Sequence, residues 1–134
     1  MGDNNNSIHN YYSPNDLYNK IIEGLDKLGI DLSNVTLDDL QPVDEFHIRG
    51  DTATNELIAL SDFTPDQHIL DVGCGIGGST RRLSHETGCR VTGIDLSDEY
   101  IDVAQRLTQL LGMKEQVKFN ACSALDLPFD DNSF

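Results

Sequence analysis

Residues 68–78 read HILDVGCGIGG, a short apolar run that contains one acidic residue and leads into four glycines. The apolar run predicts a buried β-strand, and the glycines predict a tight turn after it. The next residues, STRRL at 79–83, are typical of the first turns of a helix. Because glycine has no Cβ, such a turn lets a ligand lie against backbone N–H groups at the helix N-terminus. The stretch therefore predicts an α/β fold with a nucleotide-like ligand at this turn.

The glycine spacing leaves two classes of ligand open. Gly73, Gly75 and Gly78 satisfy the dinucleotide pattern G-x-G-x-x-G, and Asp95 follows where a ribose-binding acid is expected. A nicotinamide-dinucleotide-binding Rossmann domain is therefore one interpretation. Asp71, however, stands two residues before Gly73, where a carboxylate would repel a pyrophosphate and attract an amine. This favours a ligand that carries positive charge.

Three segments of the chain resemble the class I S-adenosylmethionine-dependent methyltransferases. They are LDVGCGIGG at 70–78, VTGIDLS at 91–97 and ALDLPFDDNSF at 124–134. The last segment, together with DEFHIRG at 44–50, is similar to the small-molecule branch, which includes sarcosine/dimethylglycine and quinone-precursor methyltransferases. The resemblance implies S-adenosyl-L-methionine as cofactor and methyl transfer to a small-molecule acceptor. A non-catalytic binding fragment with the same fold is a third hypothesis.

The resemblance also implies a role for each residue that matches a family motif. Asp71 would accept from the methionine ammonium group, and Asp95 would accept from both ribose hydroxyls. Leu96 would pack on the adenine, and Ser123 stands where the family often has an acid that accepts from the adenine amino group. Arg49 would pair with the methionine carboxylate. The complete set of cofactor-binding candidates is Arg49, Asp71, Gly73, Cys74, Gly75, Gly77, Asp95, Leu96, Ser123 and Ala124.

Most of these candidates also have a purely structural interpretation. Asp71 could brace the loop, Asp95 could cap the following helix beside Ser97, and the glycines could simply form a tight turn. Arg49 could be an ordinary surface arginine. We find no strong candidate for a catalytic base, so the catalytic residues stay unassigned. The four histidines form no i, i+4 pair, so no metal is implied.

The second half of the chain alternates strands with helices. Strands are predicted at 68–72, 90–95 and 117–120, with a helix up to Gly88 and another that is capped by Ser97 and closed by Gly112. The apolar face of that second helix consists of Ile101, Ala104, Leu107 and Leu111. This rhythm predicts a parallel sheet with right-handed crossovers. We expect the truncated Rossmann-like sheet to have about three strands in the order 3-2-1.

Residues 1–63 predict a layer of helices that precedes the cofactor-binding half at 64–134. The first helix would begin at Ser13-Pro14 and the second at Thr36, and Asp51 or Thr52 would cap the third. The apolar stripe of the first helix would consist of Leu17, Ile21, Leu25 and Leu28, before Gly29. The resemblance implies that this layer covers the cofactor and shapes the acceptor entrance, although it could merely pack on the sheet.

The family has a fourth strand that pairs with the first, and this chain stops at Phe134, where that strand should begin. We therefore expect the C-terminal half of the domain to be absent and the fragment to be inactive by itself. The uncovered edge of the first strand is apolar and could pair with another chain. A homodimer through that edge is the resulting prediction.

Charge and composition exclude some partners. The net charge is −14, from nine basic and 23 acidic residues, and such a surface repels nucleic acids. No apolar run is long enough to span a membrane, and the N-terminus lacks the features of a secretion signal. The three cysteines form no C-x-x-C pair, which argues against a disulfide framework or a zinc site. A cytoplasmic protein is expected.

Overall fold

A three-stranded parallel β-sheet is the centre of the computed structural model, which describes residues 16–44 and 50–134. Its strands are β1 (His68–Val72), β2 (Arg90–Asp95) and β3 (Val117–Ala121), with β2 in the middle. The helices are α1 (Asp16–Lys27), α2 (Leu37–Asp44), α3 (Gly50–Leu60), α4 (Gly78–Thr87) and α5 (Asp98–Leu110). A short 3₁₀ helix, Leu32–Asn34, lies between α1 and α2. The predicted parallel α/β sheet and its 3-2-1 order are confirmed.

The two helices of the second half begin and end as predicted. α4 is followed by Gly88, whose φ of 75° is the left-handed value that ends many helices. The Ser97 side chain accepts a hydrogen bond from the backbone N–H of Tyr100 at 3.2 Å and so caps α5. β3 runs one residue further than predicted, to Ala121.

The apolar stripe predicted for α1 is wrong at its last position. Leu28 is 69% exposed, whereas Ile21 and Leu25 are buried. The cause is the turn at Gly29, which has a φ of 75° and donates its N–H to the carbonyl of Asp26. The next residue, Ile30, donates to the carbonyl of Leu25, which completes a Schellman motif. This turn brings Ile30 rather than Leu28 against the core.

The starts of the other N-terminal helices divide into one confirmed and one wrong prediction. Thr36 accepts from the N–H of Asp39, and Asp39 accepts from the N–H of Thr36, so this reciprocal cap opens α2 as expected. Asp51 and Thr52, in contrast, already lie inside α3. Neither is its N-cap, because a cap has non-helical backbone angles. Ser13-Pro14 lies outside the described residues.

The helices pack in two apolar clusters, one of them against the sheet. Ile101 and Ala104 of α5 pack against Val117 and Phe119 of β3. The opposite side of α5 meets α1 and α2 in a second apolar cluster, formed by Ile21, Leu25, Leu40, Ile76, Val103 and Leu107. Each of these large side chains contributes roughly 1.5–3 kcal/mol by leaving water. The N-terminal helices therefore share a core with the sheet-bearing half, and the boundary at residues 63/64 stays a prediction.

The other face of the sheet carries His68 and Thr92, whose side chains are joined at 2.8 Å. The ring of Phe134 stacks on His68 with centroids 4.5 Å apart, so the last residues return to this face. In the described part of the chain, β1 pairs with β2 alone. Val72, at the carboxyl end of β1, is 57% exposed.

Candidate functional site

The Gly-rich loop between β1 and α4 is tied to the end of β2. The backbone N–H groups of Gly73 and Cys74 both donate to the carbonyl of Ile94, at 2.8 and 2.9 Å. The loop then closes on itself, since the N–H of Gly77 donates to the carbonyl of Cys74 at 3.0 Å. The turn requires left-handed backbone at its glycines, with φ of 75° at Gly73, 57° at Gly75 and 86° at Gly77.

The three glycines differ in what surrounds them. A Cβ added at Gly73 or Gly75 would meet no atom within 4 Å, so both residues face open space. A Cβ at Gly77 would lie 2.5 Å from the ring of Phe119 and 2.8 Å from the guanidinium of Arg81. Internal packing thus accounts for the glycine at position 77, whereas Gly73 and Gly75 leave room for a ligand.

Asp95 joins the loop to the end of β2 through its side chain. One carboxylate oxygen accepts from the N–H of Gly75 at 2.9 Å, and the other accepts from the N–H of Ser97 at 3.0 Å. Ser97, and not Asp95, is the N-cap of α5. Asp95 instead holds the cap residue by accepting from its N–H. Each carboxylate oxygen has a second lone pair, which leaves Asp95 able to accept from a ligand hydroxyl.

Asp71 lies one strand away, opposite Gly93 in the register of β1 and β2. Its carboxylate accepts from the hydroxyl of Thr80 on α4 at 2.7 Å. Burial raises the pKa of Asp71, and the hydrogen bond from Thr80 opposes that rise. The bracing role that the sequence left open for Asp71 is therefore present. A buried carboxylate whose charge is costly would gain from a cationic ligand.

Cys74 places a neutral thiol between these two carboxylates. Burial, and then the negative charges of Asp71 and Asp95, raise the pKa of Cys74 to about 12. The thiol therefore stays protonated near neutral pH and is a poor nucleophile. At this position Cys74 supplies a small, weakly polar surface.

Two cavities meet at the loop. The larger, of about 600 Å³, lies between the loop and the N-terminal helices, and the smaller, of about 320 Å³, lies at the carboxyl ends of the strands. The larger is lined by Leu17, Ile21, Val43, Asp44, Gly73, Cys74, Gly75, Ile76, Ser79 and Tyr100. The smaller is lined by Val72, Gly73, Ile94, Asp95, Leu96, Cys122, Ser123, Ala124 and Leu125. Gly73 lines both cavities.

The cavities bring together most of the residues singled out in the sequence. Asp95, Leu96, Ser123 and Ala124 share the smaller cavity, and Cys74 and Gly75 line the larger one. Asp71 and Gly77 line neither of these two cavities. Arg49 lies outside the described residues. The Ser123 hydroxyl accepts from the N–H of Leu125 at 3.1 Å, so part of its accepting capacity serves its own turn.

Comparisons with known proteins show what the second half of the chain is similar to. Residues 69–134, which contain the loop and both flanking strands, match the family described as "Methyltransferase domain". This part of the chain is similar to class I S-adenosylmethionine-dependent methyltransferases. The predicted family is confirmed, and the nicotinamide-dinucleotide interpretation is not favoured.

The names of relatives that match this chain specify methylation at different atoms. The sarcosine/dimethylglycine N-methyltransferase of Halorhodospira halochloris is 31% identical over 92% of this chain and 43% of its own length. The O-methyltransferase resE of Aspergillus sclerotiorum is 41% identical over 60% of this chain and 31% of its own length. This chain thus spans less than half the length of either relative.

A solved structure shares the fold. It is that of the geranyl diphosphate C-methyltransferase from Streptomyces coelicolor A3(2) with Mg²⁺, geranyl diphosphate and S-adenosyl-L-homocysteine. The TM-score is 0.55 at 34% identity, over 61% of this chain and 32% of that chain. The Rossmann-like methyltransferase core expected from the sequence is confirmed.

Sequence reasoning missed several residues of the site. Thr80, Arg81 and Asp44 are all buried or nearly so and hydrogen-bonded around the loop. The sequence indicates this only weakly, because arginine and aspartate are usually exposed and no local pattern shows that Arg81 and Asp44 are buried. Tyr100, which lines the larger cavity, stands in an ordinary first helical turn.

The described residues contain no helix long and apolar enough to cross a membrane. Among the same residues, no cluster of three or more histidine, cysteine or acidic side chains has the arrangement of a metal site.

Proposed function

We propose that this chain binds S-adenosyl-L-methionine across the two cavities and serves methyl transfer to a small-molecule acceptor. One hydrogen bond carries the proposal. The N–H of Gly75, in the larger cavity, donates to the carboxylate of Asp95, in the smaller cavity, at 2.9 Å. A ligand that spans both cavities would lie over this bond, with the Asp95 carboxylate and the unobstructed Gly73 and Gly75 beneath it. This arrangement suits a ribose that carries an adenine on one side and a methionine chain on the other.

The residues fit the two ends of this cofactor. In the smaller cavity, Asp95 would accept from the ribose hydroxyls, and Leu96 and Ala124 would flank the adenine beside Ser123. Leu96 supports this role because it is 78% exposed at the cavity wall. When a flat ring covers a large exposed apolar side chain, the free energy of the complex is lowered.

The larger cavity would hold the methionine end. Gly73 and Gly75 allow close approach of the ligand to backbone, and Cys74 and Gly77 complete the turn. Asp71 supplies negative charge behind the loop, where it would stabilise the ammonium group directly or through water. Arg49 would pair with the methionine carboxylate, although it lies outside the described residues.

The proposed chemistry needs little from the protein besides orientation. When bound, the cofactor supplies a sulfonium-activated methyl group. The chain's own task is to hold the ligand by the loop and to exclude water with the N-terminal helices, so that an acceptor lies in line with the methyl carbon. Such alignment contributes up to roughly 7–11 kcal/mol in favourable cases. Cys74 is not suited to act as a base, because its thiolate is strongly disfavoured.

The acceptor is proposed to be a small molecule. An N-, an O- and a C-methyltransferase each match at least 60% of this chain, which is what shared cofactor binding with separate acceptor sites would produce. The net charge of −14 argues against a nucleic-acid acceptor. We further propose that residues 1–63 form a cap over the larger cavity, since Leu17 and Val43 line it.

We also propose that a second copy of the chain covers the edge of β1 that the described residues leave unpaired. The exposed Val72 at that edge supports a pairing surface. Light scattering at increasing concentration tests it, with Val72→Lys expected to abolish the dimer. A monomer at all concentrations would remove this proposal without affecting the cofactor site.

The decisive experiment for cofactor binding is calorimetric titration with S-adenosylhomocysteine. Binding by the wild-type chain and its loss in Asp95→Ala are expected. Asp98→Ala, in the exposed first turn of α5, is the matched control and should bind normally. NAD titrated in parallel should give no heat. A folded wild-type chain that binds NAD but not S-adenosylhomocysteine would reverse the assignment.

A further inference from the structure

A buried ion pair connects the N-terminal helices to the Gly-rich loop. Arg81 on α4 has no exposed side-chain surface and donates through Nη2 to Asp44 at 2.7 Å. Its other terminal nitrogen, Nη1, donates to the carbonyl of Ile76 at 2.9 Å. Nη1 also lies within 3.3 Å of the Ala104 carbonyl and 3.2 Å of the Thr108 hydroxyl. One guanidinium therefore holds α2, the loop and α5.

A close backbone contact supports the same connection independently. A Cβ added at Gly78, the first residue of α4, would lie 2.5 Å from the carbonyl oxygen of Asp44. Only glycine lets the end of α2 rest on the start of α4 at this distance. Asp44 is thus fixed by its backbone as well as by its carboxylate.

The pair lies at one cavity and not at the other. Asp44 and Ile76 both line the larger cavity, and neither lines the smaller one. Ile76 directly follows Gly75, which has left-handed backbone and is the last loop residue bonded to Asp95. The hydrogen bond from Arg81 to the Ile76 carbonyl fixes the end of the loop that leads into α4.

We propose that Arg81 and Asp44 are positioning residues that set the loop for the methionine part of the cofactor. The inference rests on the proposed cofactor site. It makes ligand binding at the loop and docking of α2 energetically linked, because the same guanidinium serves both. The linkage is confined to the larger cavity, so a ligand that fills only the smaller cavity escapes it.

Two ligands and four variants test the proposal. The ligands are S-adenosylhomocysteine, which would fill both cavities, and adenosine, which would fill the smaller one. The variants are Asp44→Asn, Arg81→Met, the double variant, and Asp38→Asn as control. Asp38 also joins α2 to α4, through Arg82 at 3.1 Å, but is 83% exposed. The double variant removes both buried charges together, which proteins often tolerate when the shape is kept.

The Asp44 variant and the double variant should weaken S-adenosylhomocysteine by roughly tenfold or more, a usual size for coupling between sites. Their adenosine affinity should stay within about twofold of wild type, which is well below that coupling. Asp38→Asn should change neither ligand. Equal losses for both ligands, or normal S-adenosylhomocysteine binding by the folded double variant, would overturn the proposal.

Hydrogen exchange separates this proposal from the cofactor assignment. In ligand-free protein, the amides of Gly77 and Arg81 should exchange faster in Asp44→Asn than in wild type or Asp38→Asn. Unchanged exchange would refute the tie between the pair and the loop. If wild type binds no S-adenosylhomocysteine, the cofactor assignment fails, and the positioning role for that ligand fails with it even where exchange is faster.

Discussion

Gly75 and Asp95 are 20 positions apart and are joined by a 2.9 Å hydrogen bond from backbone N–H to carboxylate. The second oxygen of Asp95 accepts from Ser97, so the side chain is held from both sides. A carboxylate fixed in this way keeps its orientation without a ligand. The rim between the two cavities is therefore formed in the ligand-free protein.

Asp95→Asn should weaken both the fold and the ligand site. Gly75 and Ser97 donate to different oxygens of Asp95, and in Asn one of these oxygens becomes an NH₂ group that would face an N–H donor. We expect a loss of about 1–3 kcal/mol in the free energy of unfolding, as for a buried donor left unpaired. Urea denaturation measures this loss, and calorimetry should show S-adenosylhomocysteine affinity at least roughly tenfold lower. An Asn variant that binds like wild type would remove Asp95 from the site.

Asp71→Asn should raise the stability of the protein above the titration range of Asp71 and weaken its ligand binding. Since burial raises the pKa of Asp71, its charged form costs folded-state free energy. The wild-type protein therefore loses stability as pH rises from the ordinary pKa of aspartate through the raised one. The Asn variant lacks this loss and can still accept from Thr80. Its melting temperature should equal that of wild type below that window and exceed it above the window.

The same variant should bind S-adenosylhomocysteine at least roughly tenfold more weakly, because a hydrogen bond to a charged group contributes about 1.5–3 kcal/mol. Melting curves recorded across the acidic range and titration at neutral pH give the two readouts. Thr80→Val is the matched control, since it removes the bracing hydroxyl and keeps the carboxylate. A lower melting temperature for Asp71→Asn at neutral pH would contradict this account of the charge.

Local signals in the sequence predicted the strands and the caps at Thr36 and Ser97, because these depend on neighbouring residues. β1 and β2 end at the predicted residues, since a glycine or an acid follows each apolar run, and Ser97 caps α5 through Tyr100 three positions later. The Arg81–Asp44 pair spans 37 positions. Its burial depends on how α2 meets α4, and no local pattern reports that.

The glycines illustrate the same limit within one motif. Gly73 and Gly77 share left-handed backbone and belong to the same Gly-rich motif. Only the fold reveals that Phe119, from β3, fills the space beside Gly77 while the space beside Gly73 stays open. Likewise, the exposure of Leu28 follows from the turn at Gly29, which moves Ile30 into the core.

Alanine at these two glycines should therefore have different effects. Each substitution places a Cβ in left-handed backbone, at a cost of about 1–2 kcal/mol. Gly77→Ala adds a collision with the Phe119 ring at 2.5 Å, and we expect it to be markedly less stable in urea than Gly73→Ala. Gly73→Ala should stay folded and lose S-adenosylhomocysteine binding, because its Cβ enters the open space. Equal stability of the two variants would contradict the packing described for Gly77.

Cys74 should react unusually slowly with alkylating reagents. Its pKa of about 12 compares with an ordinary 9.0, so its thiolate fraction near pH 8 is about a thousandfold lower. Iodoacetamide labelling in a Cys122→Ser background, followed by peptide mass spectrometry, measures the rate. Steric shielding of the thiol would also slow labelling. The pH profile separates this shielding from a low thiolate fraction. The logarithm of the Cys74 rate should keep rising linearly to about pH 10.5, whereas a free thiol levels off near its own pKa. A plateau at the ordinary pKa would show that neither burial nor the Asp71 and Asp95 charges raise the pKa of this thiol.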